Sequence, residues 1–597
     1  MRTRYPDDIS YLPRPQPPPY LEGVFVGQPI SGDSTLRAYV STERGEHKGP
    51  PAERSSAQCS SMKQDPDSKV EGELSPIVRE TLDAPALRSL DPGNSSLQHA
   101  LDMLETLASW EPHMLVDWKS IPQGFNRGTS RRMKQHLARM TSYCVVRDIR
   151  QKDIRVVTNF FCVAKKDLTL RLVVDGRKTN ALMAPPPPMN LPHIHEVVAY
   201  LMTNEFALTV DGISYFYQFG ISDEVGTMFA TNLSGTRGDF VPVAMTRMPM
   251  GWSYAPYTAQ LASATLLKGK DGRTLGIAWI DNFIFAGKTS EEVMANFLEF
   301  RDRCDVCNIR IDNREPVPSR TLTALGIDFD LEGKSYALNT EWVAKKKDMR
   351  ARSIMTPREV YEMTGTAIWH DFVKTVPLCH QESCIEIVRR VASMMSQKAD
   401  WDTPIRLADA EVHDLNLWLD TVLVNTPASW KPKAEVELDL WTDAADAAWA
   451  ALVVEFDILI AGEQGTFTDD ARKWHIFLKE AYAADKVLTA TKGIPRRIHI
   501  DNKPLVQCID RGFSSNKFVN GLIRKWDLPN ITPEWVPTTK ELADPFTRGV
   551  RLRDDVPPLS DVEGQRRQRG QHTLFQSTSD LRKILESFAV EKTSLKR

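Results

Sequence analysis

No run of ~18 uninterrupted apolar residues occurs in this 597-residue chain, so nothing in it reads as a membrane-spanning helix. The first residues, Met-Arg-Thr-Arg-Tyr-Pro, lack the apolar core of a secretory leader. The protein is therefore expected inside the cell, in cytoplasm or nucleus, not secreted and with no membrane as partner. Cysteine is scarce, with 8 residues, too few for a disulfide scaffold, and reduced thiols are the expectation. Net charge is nearly absent at −3, while 42% hydrophobic and 26% charged residues match soluble globular proteins and exclude global disorder. Internal repeats at solenoid periods are missing too. At about 150 residues per domain, the length predicts roughly four domain-sized units.

The small net charge conceals a local imbalance. Between Lys119 and Lys178 there are 15 Lys or Arg against four Asp, which leaves +11 there and −14 elsewhere. A phosphate backbone would be drawn to such a belt. The plainer reading of a charge run alone is a solvated basic face.

Composition divides the chain. Residues 1–95 are rich in Pro, Ser, Gly and charge and cannot offset their chain entropy by burial, so disorder is predicted. Spaced Leu and Met from Leu97 to Leu107 predict the first amphipathic helix. From 96 to 340, β-rich runs alternate with helical stretches, interrupted by the stiff Pro185–Pro188. Residues 341–430 read as mainly helical, 431–550 as a second α/β pattern, and 551–597 as a flexible or weakly helical tail. The predicted class is α/β, or α+β.

Two separated carboxylates stand out. Phe206-Ala-Leu-Thr-Val-Asp211 reads as a buried strand ending in Asp211. Gly276-Ile-Ala-Trp-Ile-Asp281-Asn282-Phe-Ile-Phe-Ala-Gly287 reads as a hairpin with Asp281-Asn282 as the turn, which would lift Asp281 to its tip. With these strands side by side, two carboxylates would meet at one sheet edge, where magnesium could bridge them to nucleotide phosphates. Either Asp alone has a duller explanation as a turn former.

The surrounding motifs come in order: Lys165-Lys-Asp-Leu-Thr-Leu-Arg171 through Asp175, Arg177 and Asn180, then Asp211-Gly-Ile-Ser-Tyr-Phe216, Met248-Pro-Met-Gly251-Trp, and Trp279-Ile-Asp281-Asn282. This series resembles the fingers and palm of a reverse transcriptase, and Ala324-Leu-Gly-Ile-Asp-Phe-Asp330 looks like the primer-grip segment that follows. The resemblance implies a right-hand polymerase fold of fingers, palm (within 96–340) and thumb or connection (341–430). It makes Asp211 and Asp281 ligands of two Mg2+ ions, with Mn2+ as a substitute, for in-line nucleotidyl transfer. Lys165 and Arg171 would hold the triphosphate, Arg171 having pairing with Asp175 as its structural alternative. Phe216 would lie under the sugar and exclude a ribose 2′-hydroxyl, its alternative being core packing. Gly251, beside Met250, would let the backbone approach the templating pair. The second hairpin acid of the family is Asn282 here, an amide that keeps one ligating oxygen without the charge. Trp279 replaces the family's common Tyr, and the general acid has no assignment near Asn313-Arg314-Glu315.

Four further acids form a second set. Glu437-Leu-Asp-Leu-Trp-Thr-Asp443 reads as a strand, Trp474–Ala490 as a helix holding Glu480, Arg497-Ile-His-Ile-Asp501 as a strand, and Glu534-Trp-Val-Pro through Asp544 as a strand and short helix. This stretch resembles a retroelement ribonuclease H domain, which makes Asp443, Glu480, Asp501 and Asp544 the holders of two more Mg2+ ions. Taken alone, Glu480 would read as a solvated acid beside Lys479 and Lys486. The mobile His of many such nucleases has no candidate between Arg511 and Ala543.

Cys304-x-x-Cys307 and Cys379-His380-x-x-x-Cys384 are too far apart and too irregular for a zinc site. Asp-Thr-Gly and Asp-Ser-Gly triplets of aspartic proteases do not occur. The resemblance covers residues 120 to 550, nearest in flavour to the tyrosine-recombinase retroelements of DIRS and VIPER type. It implies an RNA template, a DNA or RNA primer, RNA–DNA hybrid and deoxynucleoside triphosphates as partners. Two rivals stay open: a decayed or domesticated copy that binds nucleic acid without polymerising, and a chain that keeps only the nuclease.

Overall fold

A central strand buried on both faces reads as an unbroken apolar run, and Phe283 to Ala286 is such a run. The computed structural model describes residues 77–120, 139–164, 169–234, 240–397, 400–432 and 434–568. Within it β4 (Phe206–Asp211), β7 (Ile277–Trp279) and β8 (Asn282–Gly287) form an antiparallel sheet ordered β4-β8-β7. Alternate side chains enter different cores. Leu208, Val210, Phe283 and Phe285 join the cluster containing Phe297 and Phe300 of the helix Ser290–Val306, while Ala207, Ile284 and Ala286 pack with Val197, Val198 and Leu201 of the helix Ile194–Met202. The Phe283 and Phe300 rings lie 4.5 Å apart, and each buried Phe contributes roughly 1.5–3 kcal/mol. Both helices begin where the sequence caps them, with Thr289 accepting from the Glu292 N–H and His193 forming a capping box with Glu196.

Around this sheet, β1 (Val146–Asp148), β6 (Phe240–Met245) and β5 (Ala230–Ser234) form a second antiparallel sheet, and β2 (Asn159–Ala164) pairs with β3 (Leu170–Asp175) in a hairpin. β9 (Thr321–Ala324) turns tightly into β10 (Ile327–Asp330) through Leu325 and Gly326, both at positive φ, as a two-residue hairpin loop requires. β11 (Ser335–Leu338) follows, and β14 (Ala428–Ser429) closes that sheet. Residues 341–430 hold the helices Pro357–Val373, Glu382–Ser396 and Asp409–Val424, with β12 (Ile354–Met355) and β13 (Ile405–Arg406) as a two-stranded clip.

The C-terminal sheet is ordered β17-β16-β15-β18-β19. Its strands are β15 (Leu438–Ala444), β16 (Ala448–Glu455), β17 (Ile458–Thr466), β18 (Arg496–Ile500) and β19 (Ile531–Trp535). β15, β16 and β17 are antiparallel, and β18 and β19 run parallel to β15. The helix Ile476–Ala490 packs on one face, and Leu542, Ala543 and Phe546 cover Ala450, Leu452 and Val454 on the other. The whole is a mixed α/β architecture.

Two boundaries move from the sequence reading. The predicted disorder through residue 95 ends earlier, because Asp83 caps a helix Ala84–Leu90 whose Leu87 is fully buried. Residues 1–76 lie outside the described residues. The tail does not separate at 551: Leu559 and Val562 are buried, and Arg566 pairs with Glu437 and Glu455. Two apolar anchors and a paired guanidinium outweigh the polar composition that predicted a free appendage.

Candidate active sites

At the open end of the β4-β8 pair, Asp211 stands directly opposite Asn282, and the Gly212 N–H donates to the Asp281 carbonyl at 2.8 Å. The predicted convergence of Asp211 and Asp281 is thus present in the backbone register. The turn, however, is Ile280-Asp281, because Trp279 pairs with Asn282 and places Asn282 in the strand. Its first residue, Ile280, has φ +57°, a left-handed conformation that a β-branched residue adopts only under constraint. The helix Ala255–Leu266 supplies that constraint: Gln260 Oε1 accepts the Ile280 N–H at 2.7 Å, and Ser263 Oγ donates to the Ile280 carbonyl at 2.5 Å. Hairpin statistics favoured Asp-Asn, but tertiary hydrogen bonds shifted the turn by one residue.

Asn282 is not idle. Its Nδ2 donates to Asp211 Oδ1 at 2.5 Å, and its Oδ1 accepts from Thr209 Oγ1 at 3.1 Å. A third carboxylate, missed in the sequence, completes the edge: Asp312 Oδ1 accepts the Asp211 N–H at 2.9 Å, and the Asp312 N–H donates to the Asp211 carbonyl. Desolvation, with repulsion from Asp312, raises the Asp211 carboxyl above its ordinary pKa, against the Asn282 hydrogen bond. Burial, then the Asp211 charge, raises Asp281, opposed by its own backbone N–H and by Arg171. A carboxylate edge that resists ionising is one that a cation would relieve.

The other residues of this set have clear positions. Arg171 lies exposed on β3 within the field of Asp281, and its structural alternative fails because Asp175 pairs with Arg177 at 2.6 Å. Arg147, Arg150 and Arg155 of the basic belt are also paired, with Asp223, Asp153 and Glu224. Lys165 lies outside the described residues. Phe216 is half-buried in the 3-10 turn Tyr215–Gln218, against the main core. Gly251, at φ +113°, would drive a Cβ to 1.9 Å from the Val174 carbonyl oxygen. Its close approach is therefore to β3, where Met250 accepts the Val174 N–H at 3.0 Å and Asn180 Nδ2 donates to the Gly251 carbonyl at 2.8 Å.

The second set is more concentrated. Asp443, Glu480 and Asp501 each offer one carboxylate oxygen, and these oxygens lie within 4.8 Å of one another. The parallel pairing of β15 with β18 brings Asp443 and Asp501 together, since each comes directly after the paired residues Thr442 and Ile500. Glu480 comes from the buried face of the helix Ile476–Ala490. A cavity of about 380 Å³ opens on them, with Asn502, Thr538 and Arg548 in its wall.

Each acid is held. Thr547 Oγ1 donates to Asp443 Oδ2 at 2.5 Å, and Thr538 Oγ1 to Asp501 Oδ2 at 2.7 Å. Burial, opposed by the Thr547 hydrogen bond and reinforced by Asp544 and Asp501, pushes Asp443 up to about 6. Glu480 is raised well above the usual range by burial, then by Asp443 and Asp501, and its buried Oε2 has no hydrogen-bond partner. Its solvated alternative fails: Lys479 donates to the Asp446 carbonyl at 3.0 Å, and Lys486 lies over Trp449 and Tyr482. Asp544 stands outside the three-oxygen cluster, bound to Arg548 Nε at 2.6 Å while its charge bears on Asp443. Glu541, three residues earlier, was not singled out by sequence. It is 2% exposed, and burial, then Asp443, Asp501 and Asp544, raise it well above the usual range. Its spacing from Asp544 was the only signal available.

A hard dication fits this donor set: three converging carboxylate oxygens, with an unpartnered buried oxygen on Glu480, are what Mg2+ accepts. Cys304, Cys307, Cys379 and Cys384 are buried packing residues.

No protein-family model matches the chain, and no curated protein matches it. Among solved structures, the foamy viral protease-reverse transcriptase dRH in complex with double-stranded DNA matches with a TM-score of 0.44 and 17% identity, over 78% of this chain and 84% of that chain. The foamy viral protease-reverse transcriptase in complex with RNA/DNA hybrid matches with a TM-score of 0.43 and 16% identity, over 82% of this chain and 66% of that chain.

Proposed function

We propose that this chain is an RNA-directed DNA polymerase with a ribonuclease H activity, a right-hand polymerase unit followed by a nuclease unit, as in retroelements of the tyrosine-recombinase type. The observation that carries the reading is the convergence of Asp443, Glu480 and Asp501 at the mouth of one cavity. Three buried or half-buried acids with one unpaired oxygen are unfavourable without cations, and nucleic-acid hydrolysis is the chemistry that uses such a cradle.

Mg2+, when bound, activates the attacking oxygen and stabilises the leaving one in both reactions. The residues do the rest. Thr538 and Thr547 fix the oxygens of Asp501 and Asp443, so the cradle is preorganised. Arg548, held by Asp544 at the cavity wall, presents a cation to the phosphate of a bound strand. In the polymerase unit Asp211 and Asp281 would hold the ions at the primer end, with Arg171 on the triphosphate and Phe216 below the sugar of a deoxynucleotide.

A second reading, a nuclease that does not polymerise, is favoured by one contact: the Asn282 amide engages one of the two Asp211 carboxylate oxygens. The test is primer extension on an RNA template and cleavage of a labelled hybrid, with Mg2+ and then Mn2+. The two-activity reading predicts extension lost in Asp211→Ala and cleavage lost in Asp501→Asn. Cleavage without extension under either ion selects the second reading, and neither activity refutes both.

A further inference from the structure

Trp535 ends β19, the edge strand of the C-terminal sheet, and is 45% exposed, although an indole left in water forgoes much of its burial free energy. It stands beside the carboxylate cradle. Its Nε1–H donates to the Asp501 carbonyl at 3.0 Å, and three residues on Thr538 reaches the Asp501 carboxylate. The polar edge of the ring is thus anchored while a face stays bare. Lys503, exposed at the start of the helix Lys503–Arg511, holds its Nζ 5.2 Å from the ring centroid. The neighbouring Glu534 points to the other side of the strand, where Arg497 and His499 face it at 3.5 and 3.8 Å.

An aromatic face beside a cation, fixed to the backbone of a metal-holding acid, matches one kind of occupant. A nucleotide offers a flat base or sugar for the ring and a phosphate for the ammonium group. We propose that Trp535 and Lys503 form the platform that seats the nucleotide next to the scissile phosphate on the Asp443–Glu480–Asp501 cradle. This rests on the nuclease reading above. The platform is a binding site: ring stacking supplies affinity that tolerates any base, and Lys503 supplies one phosphate contact. Because the same indole holds the Asp501 carbonyl, seating the strand and aligning the acid are joined in one side chain.

The experiment measures binding of a fluorescent RNA–DNA hybrid to the full chain carrying Asp443→Asn, so that bound substrate is not cut, across a salt series. Trp535→Ala is expected to weaken binding about 10-fold with the salt slope unchanged, and Trp535→Phe, which keeps a ring but loses the hydrogen bond, to stay within about 3-fold. Lys503→Ala, a change at an exposed position that the fold tolerates, is expected to reduce the slope of log affinity against log salt by about one. Affinity unchanged in Trp535→Ala, or Trp535→Phe as weak as Trp535→Ala, overturns the platform, as does an unaltered salt slope in Lys503→Ala. If Trp535→Ala fails to fold, the Lys503→Ala slope decides. Wild-type chain that cuts hybrid in Mg2+ while these variants bind normally refutes the platform alone; wild-type chain that neither binds nor cuts hybrid refutes the nuclease reading.

Discussion

Replacing Asp443 by Asn should stabilise the metal-free protein, against the usual expectation for altering a buried polar residue. Asp443 is 3% exposed and its carboxyl is pushed from 3.8 up to about 6, chiefly by burial. The folded chain therefore holds that proton more tightly than the unfolded chain. From the ordinary carboxylate range up to about pH 6 the folded state carries more bound proton, so stability falls as pH rises through that window. The full penalty is in place at neutrality, about 3 kcal/mol for a shift of this size. Asparagine carries no charge and its Oδ1 still accepts from Thr547, so the penalty disappears while the hydrogen bond remains. Hydrogen exchange of the amides in Ile476–Ala490, corrected for intrinsic rates, reads this locally without treating the whole chain as two-state. Metal-free wild-type protein should lose protection between pH 4 and 7 and regain it on addition of Mg2+. Asp443→Asn should be protected at pH 7 without the ion and gain little from it. Faster exchange in Asp443→Asn at pH 7, or wild-type protection independent of pH, would refute the burial argument.

Two other changes test the Asp211–Asp281 edge and the loop that packs on β3. Asn282→Asp removes the amide from Asp211 and adds a charge beside Asp211, Asp281 and Asp312, so the metal-free melting temperature should fall while the Mg2+ concentration giving half-maximal primer extension drops several-fold; a rise in that concentration counts against metal binding at this edge. Gly251→Ala places a methyl 1.9 Å from the Val174 oxygen at φ +113° and should cost at least ~2 kcal/mol in urea denaturation, whereas a near-neutral result would mean that the loop does not pack on β3 as described.

Much of the local structure was legible in the residues because it has local causes. Short apolar, β-prone runs gave β4, β8, β15 and β18, and Asp211, Asp281, Asp443 and Asp501 followed from where those runs begin or stop. The helix bearing Glu480 was readable from its periodicity. What the sequence could not carry was pairing across long separations. Asp312 joins Asp211 through a backbone bond over 101 residues, and Thr547 reaches Asp443 over 104. The turn at Ile280-Asp281 went against local preference because Gln260 holds the N–H of Ile280 and Ser263 its carbonyl. Arg171 was the partner that the sequence offered for Asp175, and the fold pairs Asp175 with Arg177 instead. By itself the sequence determined which segments are strands and helices and where carboxylates end them, since those depend on neighbours a few positions away. The tertiary structure alone decided which acids share a cavity, which are neutralised by a neighbour and which oxygen is left unpaired, because desolvation and Coulomb repulsion act across space between groups the chain keeps far apart.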